Sequence, residues 1–221
     1  VNSSPRWPVV LFDIDGTLIN TIDLIVASYQ YALGVVLGEQ GDEAEIRTWI
    51  GRPLIEAFET LNPEKSQELM DAYMDWNYTH TPLLLKQYDG VLDLLQELHH
   101  SRVRLGAVTS KRRDPALWCL DLADMTPLMP LLVSAEDTKL HKPNPEPLLA
   151  ACRILDIQPQ EAVYIGDAVV DIRAAQAAGM DSIGVTWGAR TSEALAEVNS
   201  TALVTSVDEL RALLLSLPPR T

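Results

Sequence analysis

The sequence predicts an α/β fold, a parallel sheet wound with helices on both faces, with a small all-helical unit inserted after the first strand. Three observations predict it. A short apolar run, VVLF at 9–12, stops abruptly at Asp13-Ile14-Asp15-Gly16-Thr17, as a buried strand does when it breaks into a loop. From Thr21 to His80 apolar residues recur only at helical spacing. After Pro82, short apolar runs alternate with helical patterns, which implies βα units and a parallel sheet.

The elements follow in order. Ile22, Ile25, Val26 and Tyr29 share a helical face with Asp23 in the first turn, and a polar start at Asp42 leads into Ile46, Trp49 and Ile50. Gly51-Arg52-Pro53 breaks that helix, and Pro53 opens the next through Ile55 and Phe58. Asn62-Pro63-Glu64 starts another carrying Leu69, Tyr73 and Trp76. Beyond the insert, a helix is expected from Gly90 to His100 and a strand over RLGAVTS at 104–110. Asp114-Pro115 and Pro145 open two more helices, on either side of a short strand at 131–134. Strands at 163–166, 183–185 and 202–204 complete the pattern, with an Ala-rich helix ending at Gly179.

A chain of 221 residues, 47% hydrophobic, can bury a full core. Its formal charge of -14 repels nucleic acid and anionic membrane surfaces, so no partner of either kind is expected. Cys119 and Cys152 both lie in apolar helical patterns, which predicts buried thiols in a reducing compartment. The first eight residues, VNSSPRWP, lack an apolar signal core, and no apolar run is long enough to span a membrane. A cytoplasmic location is the expectation.

Ligands of such sheets bind at the carboxyl ends of the strands. Polar groups stand at four of those ends: Asp13 and Asp15, Thr109 and Ser110, Lys142, and Asp167. If strand geometry persisted, Asp13 and Asp15 would face the same way, and at roughly 4 Å and a dielectric near 20 their repulsion would be about 4 kcal/mol. A cation between them relieves that, and magnesium suits carboxylate oxygens combined with a phosphate. Gly16 lets the backbone turn away from the site.

FDIDGT at Phe12 to Thr17, VTS at Val108 to Ser110, HKPNPEP at His141 to Pro147 and GDAVVD at Gly166 to Asp171, followed by AAQAAG, stand in order at successive strand ends. With these four motifs the chain resembles the haloacid dehalogenase superfamily over nearly its whole length. The branch is the one with a small helical cap inserted just after the first motif. The resemblance implies a Rossmann-like core domain at 1–19 and 86–221 and a helical cap at 20–85, with linkers at 18–21 and 81–88.

It also implies roles. Asp13 is the nucleophile that forms an aspartyl-phosphate, and Asp15 protonates the leaving group and then activates water. Asp13, Asp15, Asp167 and Asp171 are the expected Mg2+ ligands, Asp171 directly or through a water. Thr109 hydrogen-bonds a phosphoryl oxygen, and Lys142 balances the transferring charge and keeps Asp13 ionised. Ser110 and Gly16 add backbone contacts. The break holding Arg52 is where relatives carry selectivity, and a guanidinium there suits a carboxylate or second phosphate. Lys111, Arg112 and Arg113 follow the second motif and can face the cleft or solvent; Asn77 and His80 can reach the entrance or simply pack. His141 is read as structural, and Trp187-Gly188 as a loop anchored by its ring. Two departures from relatives are Asn20, where Asp is common, and Ala168, where a small hydroxyl residue or Asn is frequent.

The implied reaction is magnesium-dependent hydrolysis of a small anionic phosphomonoester, phosphoglycolate-like, by a monomer or homodimer. SKRRD, with Asn77 and His80, also resembles an inorganic pyrophosphatase branch, with pyrophosphate as the partner. Carbon–halogen cleavage needs no leaving-group acid such as Asp15. Phosphonate cleavage needs a cap lysine, and the insert's Lys65 sits in a polar helix start. A β-phosphoglucomutase-type transfer, or a non-enzymatic binding role, stays as a lesser alternative.

Overall fold

A computed structural model describes residues 6–215; residues 1–5 and 216–221, at the ends of the expected core domain and including part of the leader reading, lie outside the described residues. The chain begins with β1 (Val9–Phe12) and β2 (Ile19–Asn20). Four helices follow: α1 (Ile22–Leu37), α2 (Glu43–Trp49), α3 (Leu54–Leu61) and α4 (Ser66–Leu84). Then come β3 (Lys86–Gln87), α5 (Val91–His100), β4 (Arg104–Val108), α6 (Arg113–Leu122), β5 (Leu131–Val133) and α7 (Glu146–Leu155). The chain continues through β6 (Ala162–Gly166), α8 (Val169–Ala178), β7 (Asp181–Val185), α9 (Ser192–Ala196), β8 (Ala202–Val204) and α10 (Val207–Leu215).

Six strands form one parallel sheet in the order β5-β4-β1-β6-β7-β8. Strand β1 is central, so its side chains are buried on both faces. Val10 and Phe12 point into the cluster with α5 and α6, and Val9 and Leu11 into the cluster with α7 and α8. Its neighbours β4 and β6 run on opposite sides of it, and the crevice beyond its carboxyl end is where a ligand site is expected. The register carries Phe12 alongside Ala107 and Ile165, which brings Asp13, Thr109 and Asp167 to one edge.

The four insert helices have a core of their own. Tyr29 packs its ring 5.2 Å from Phe58 and 5.0 Å from Tyr73, centroid to centroid. Asp42 caps α2 by accepting from the Glu45 N–H at 2.8 Å, as its position predicted. Helix α4 runs farther than expected, through Pro82 to Leu84, and the 81–88 linker is correspondingly shorter. Pro82 stands in the last turn, where its missing donor breaks little, and the Thr81 hydroxyl donates to the Asn77 carbonyl at 2.7 Å. Strands β2 and β3 pair antiparallel where the chain enters and leaves the insert. No helix among the described residues is long and apolar enough to cross a membrane. Cys119 and Cys152 are buried free thiols.

Candidate active site

Asp13 follows β1 directly, its N–H held by the Ile165 carbonyl at 2.9 Å, and the residue is 1% exposed. Asp167 follows β6 and Asp171 lies in the first turn of α8; both are buried. Carboxylate oxygens of Asp13, Asp167 and Asp171 lie within 4.8 Å of one another. Among the described residues a single side-chain cation, Lys142, enters the group. Lys142 Nζ is 2.6 Å from Asp171 Oδ1 and 3.1 Å from Asp13 Oδ1. It also donates to the Tyr164 hydroxyl at 3.0 Å, which in turn donates to the Val108 carbonyl at 2.6 Å.

Three buried carboxylates against one ammonium leave two negative charges uncompensated. The electrostatics register it. Burial, opposed by Lys142, raises Asp13 to about 7, and burial with the Asp171 charge raises Asp167 to about 8. Burial works against the Lys142 charge, but Asp13 and Asp171 outweigh it and hold its pKa well above the usual lysine value. Asp13 Oδ1 accepts no well-aligned hydrogen bond. Hard oxygen donors and an excess of two negative charges fit a divalent cation such as magnesium.

Asp167 itself is tightly placed. Its Oδ2 accepts from the Ala189 N–H at 2.6 Å and its Oδ1 from the Thr17 hydroxyl at 3.4 Å. A Cβ at either Gly16 (φ +78°) or Gly188 would collide with this carboxylate, so both backbones approach it as only glycine allows.

Asp15, expected as a fourth ligand, is placed differently. Its carboxylate stands outside the cluster, accepting from Thr21 Oγ1 at 2.6 Å and from Lys111 Nζ at 3.0 Å. The chain leaves extended geometry at once, with Thr17 and Leu18 N–H groups turning back to the Ile14 carbonyl, so Asp13 and Asp15 do not face one ion. Each has its own lysine. The Asp15 carboxylate is thus held between Thr21 and Lys111. The Gly16 N–H, at a residue expected to add backbone contacts, donates to the Ile19 carbonyl at 2.9 Å.

A cavity of about 70 Å³ lies between the insert and the strand ends. Asp13, Asp15, Thr109, Ser110 and Lys111 form its floor, and Arg52 reaches it from the insert. A family model for haloacid dehalogenase-like hydrolases matches residues 10–185. The chain belongs to this family. Among relatives, the pyrophosphatase PpaX of Bacillus pumilus (strain SAFR-032) is 37% identical over 204 residues, 92% of this chain and 94% of that protein. PpaX of Anoxybacillus flavithermus (strain DSM 21510 / WK1) is 34% identical over 205 residues, 93% and 95% of the two chains. The crystal structure of a predicted phosphatase from Clostridium acetobutylicum superposes with a TM-score of 0.84 at 29% identity, covering 93% of this chain and 96% of that one. A candidate phosphoglycolate phosphatase from Lactobacillus plantarum does so with a TM-score of 0.84 at 27% identity, covering 94% and 99%.

In this haloacid dehalogenase-like hydrolase the other candidate residues divide. Arg112 lines the cavity while its Nε donates to Glu136 at 3.1 Å, whereas Arg113 turns away to Asp137 and Glu136. Asn77 borders the cavity but donates to the Ser28 hydroxyl at 2.9 Å. His80 stacks on Trp76 and packs rather than reaching the entrance. His141 faces Glu56 of the insert at 3.8 Å, and Trp187 Nε1 anchors its loop on the Thr17 carbonyl at 3.2 Å. Lys65 donates to the Val36 carbonyl, inside the insert. Sequence reasoning missed Tyr164 and the Ala189 amide. A tyrosine within the otherwise aliphatic AVYIG was the available signal for the first; a backbone N–H leaves none.

The raised carboxylates make a prediction about the metal-free enzyme. Their folded pKa values exceed the unfolded value of about 3.9, so the folded state binds more protons and the stability they contribute is present in acid. It is lost as pH rises through about 7 and about 8. In chelator, Tm is expected to fall between pH 5.5 and 8.5, and magnesium at pH 8.5 is expected to restore it, by about 2.7 kcal/mol at one hundred times Kd. A metal-free Tm that rises with pH over that range contradicts the reading.

Proposed function

We propose that this hydrolase removes the phosphoryl group from a small substrate carrying a second anionic group, in a magnesium-dependent reaction through an aspartyl-phosphate on Asp13. The observation that carries it is the Asp13, Asp167, Asp171 and Lys142 group buried beneath a small cavity whose wall presents Arg52, Lys111 and Arg112. Asp13 and Asp167, with Asp171 beside them, would hold the ion. Bound there, magnesium would offset the negative charge between the nucleophile and the phosphate.

The steps belong to the side chains. Asp13 attacks phosphorus through one carboxylate oxygen as the bond to the leaving oxygen breaks. Asp15, 13% exposed and oriented by Thr21 and Lys111, gives that oxygen a proton and later takes one from the attacking water. Thr109 offers its hydroxyl to a phosphoryl oxygen, with Ser110 beside it, and Lys142 keeps Asp13 ionised. Helices α1–α4, as a cap over residues 20–85, exclude water from the cavity. Arg52 on that cap meets the substrate's far end.

Phosphoglycolate is the preferred model substrate, since a carboxylate suits Arg52 and the cavity is small. Pyrophosphate is the second reading, favoured by the relatives of 33–37% identity that are named for its hydrolysis. A phosphate-release screen of phosphoglycolate, pyrophosphate and hexose phosphates, with magnesium and with chelator, tests both. The proposal expects turnover of one of the first two and none in chelator. Preference for a hexose phosphate would contradict it.

Two variants test the roles. Asp15→Asn is expected to slow phosphoenzyme breakdown about 10²-fold or more while slowing its formation from an aryl phosphate less; rapid-quench measurement of both steps showing equal damage would contradict the dual role. Arg52→Ala is expected to raise KM about tenfold for the doubly anionic substrate, and little for an aryl phosphate, as loss of one charge-assisted contact of about 1.5 kcal/mol would. Steady-state kinetics with equal effects on both would remove Arg52 from the substrate.

A further inference from the structure

A second cleft opens beside the candidate active site, and no step of the reaction as proposed uses it. Its volume is about 450 Å³, against about 70 Å³ for the first cavity. Met74, Arg112 and Pro115 line both, so the two spaces meet across these residues. The outer walls are Tyr78 on α4 and Trp118 on α6, one from the insert and one from the core. Their rings stack with centroids 4.4 Å apart and planes at 29°. Tyr78 nevertheless stays 64% exposed, so the contact with Trp118 leaves most of it uncovered.

The direction of the leaving group points there. As the proposed acid, Asp15 must face the ester oxygen, and Lys111 Nζ holds its carboxylate at 3.0 Å. Lys111 lines the first cavity, Arg112 and Pro115 line both, and Asp114 and Trp118 line the second. A group on that oxygen too large for the first cavity is led along this segment into the outer cleft. The cleft does not favour an anion. The cation there, Arg112, donates through Nε to Glu136 Oε1 at 3.1 Å, while Glu136 Oε2 accepts from the Arg113 N–H at 2.9 Å. Asp114 adds a second carboxylate, which leaves two negative charges against one guanidinium. Two aromatic rings, the Met74 thioether and a proline ring instead give a planar, uncharged group apolar surface and faces to stack on.

We propose that this cleft is a leaving-group subsite, and that the enzyme also hydrolyses phosphomonoesters whose alcohol component carries a planar, uncharged ring. Tyr78 and Trp118 are its specificity-determining residues. In the reaction an Asp13 oxygen forms the bond to phosphorus, the bond from phosphorus to the ester oxygen breaks, and that oxygen takes the proton of Asp15. Water then releases phosphate from Asp13, so the products are the ring-bearing alcohol and inorganic phosphate. The inference rests on the roles proposed above for Asp13 and Asp15. It adds a second substrate class to the doubly anionic one that Arg52 meets.

Steady-state kinetics of the full chain with magnesium test it, using phenyl phosphate, uridine 5′-monophosphate and methyl phosphate beside phosphoglycolate and pyrophosphate. At least one ring-bearing ester is expected to show a KM about tenfold below that of methyl phosphate, which has the same phosphoryl group and no ring. Tyr78→Ala is expected to raise KM for that ester about tenfold more than for the better of phosphoglycolate and pyrophosphate. Tyr78→Phe, which keeps a ring, is expected to regain most of the wild-type value, and Trp118→Leu to act in the same direction as Tyr78→Ala. An effect on phenyl phosphate alone assigns the cleft to aryl esters, and an effect on the nucleotide assigns it to nucleosides. Equal KM for ring-bearing and methyl esters, or equal effects of Tyr78→Ala on substrates with and without a ring, overturns the subsite and leaves the Asp13 reading standing. No phosphate release from any of these substrates overturns both.

Discussion

Asp13→Asn is expected to lose at least about 10³-fold in kcat for every substrate, because an amide cannot serve as the nucleophile proposed for this position. The amide keeps the shape of the side chain, so the loss reports chemistry rather than packing. It also removes one of the two excess charges of the cluster. The metal-free variant is therefore expected to be more stable than the wild type at pH 8.5, where Asp13, with a pKa of about 7, is ionised. Near pH 5 both forms are neutral there and the difference should vanish. Gain in stability with loss of turnover separates a functional carboxylate from a structural one. Equal activity of variant and wild type on an aryl phosphate would remove Asp13 as nucleophile.

Lys142→Met carries the second large effect. The ammonium is buried and contacts Asp13, Asp171 and the Tyr164 hydroxyl, so its removal leaves the carboxylates with no compensating charge. Breaking a buried pair by deleting one partner costs about 3–5 kcal/mol. That cost should be largest in chelator at high pH and shrink toward pH 5, as the carboxylates take up protons. Urea denaturation at the two pH values checks it, and kcat is expected to fall about 10²-fold or more with the loss of charge balance around the phosphoryl group. A destabilisation independent of pH would mean that Lys142 matters by packing alone.

The parallel sheet was legible because its strands are short apolar runs between helical patterns, and the strand ends could be counted off to Asp13, Thr109, Lys142 and Asp167. Periodicity also marked the insert, since Tyr29, Phe58 and Tyr73 fall on helical faces that meet in one aromatic core. What the sequence hid was direction. The spacing of Asp13 and Asp15 reads as one face of a strand, but the turn at Ile14 and Gly16 sends Asp15 to Lys111. Pro82 reads as a helix stop, yet a proline in a final turn costs a single hydrogen bond and α4 passes through it. The contact made by the Ala189 N–H lies in a loop without any periodic pattern, and backbone donors have no residue signature.

The destination of the phosphoryl group is the most direct test of Asp13 as nucleophile. Asp15→Asn enzyme, mixed with its best substrate and magnesium and quenched in acid within milliseconds, can be digested and its peptides weighed by mass spectrometry. The phosphoryl mass is expected on the peptide that contains Asp13, and to be absent when chelator replaces magnesium. Phosphate carried by another residue, or substrate consumed by the enzyme in chelator at the full rate, would contradict it.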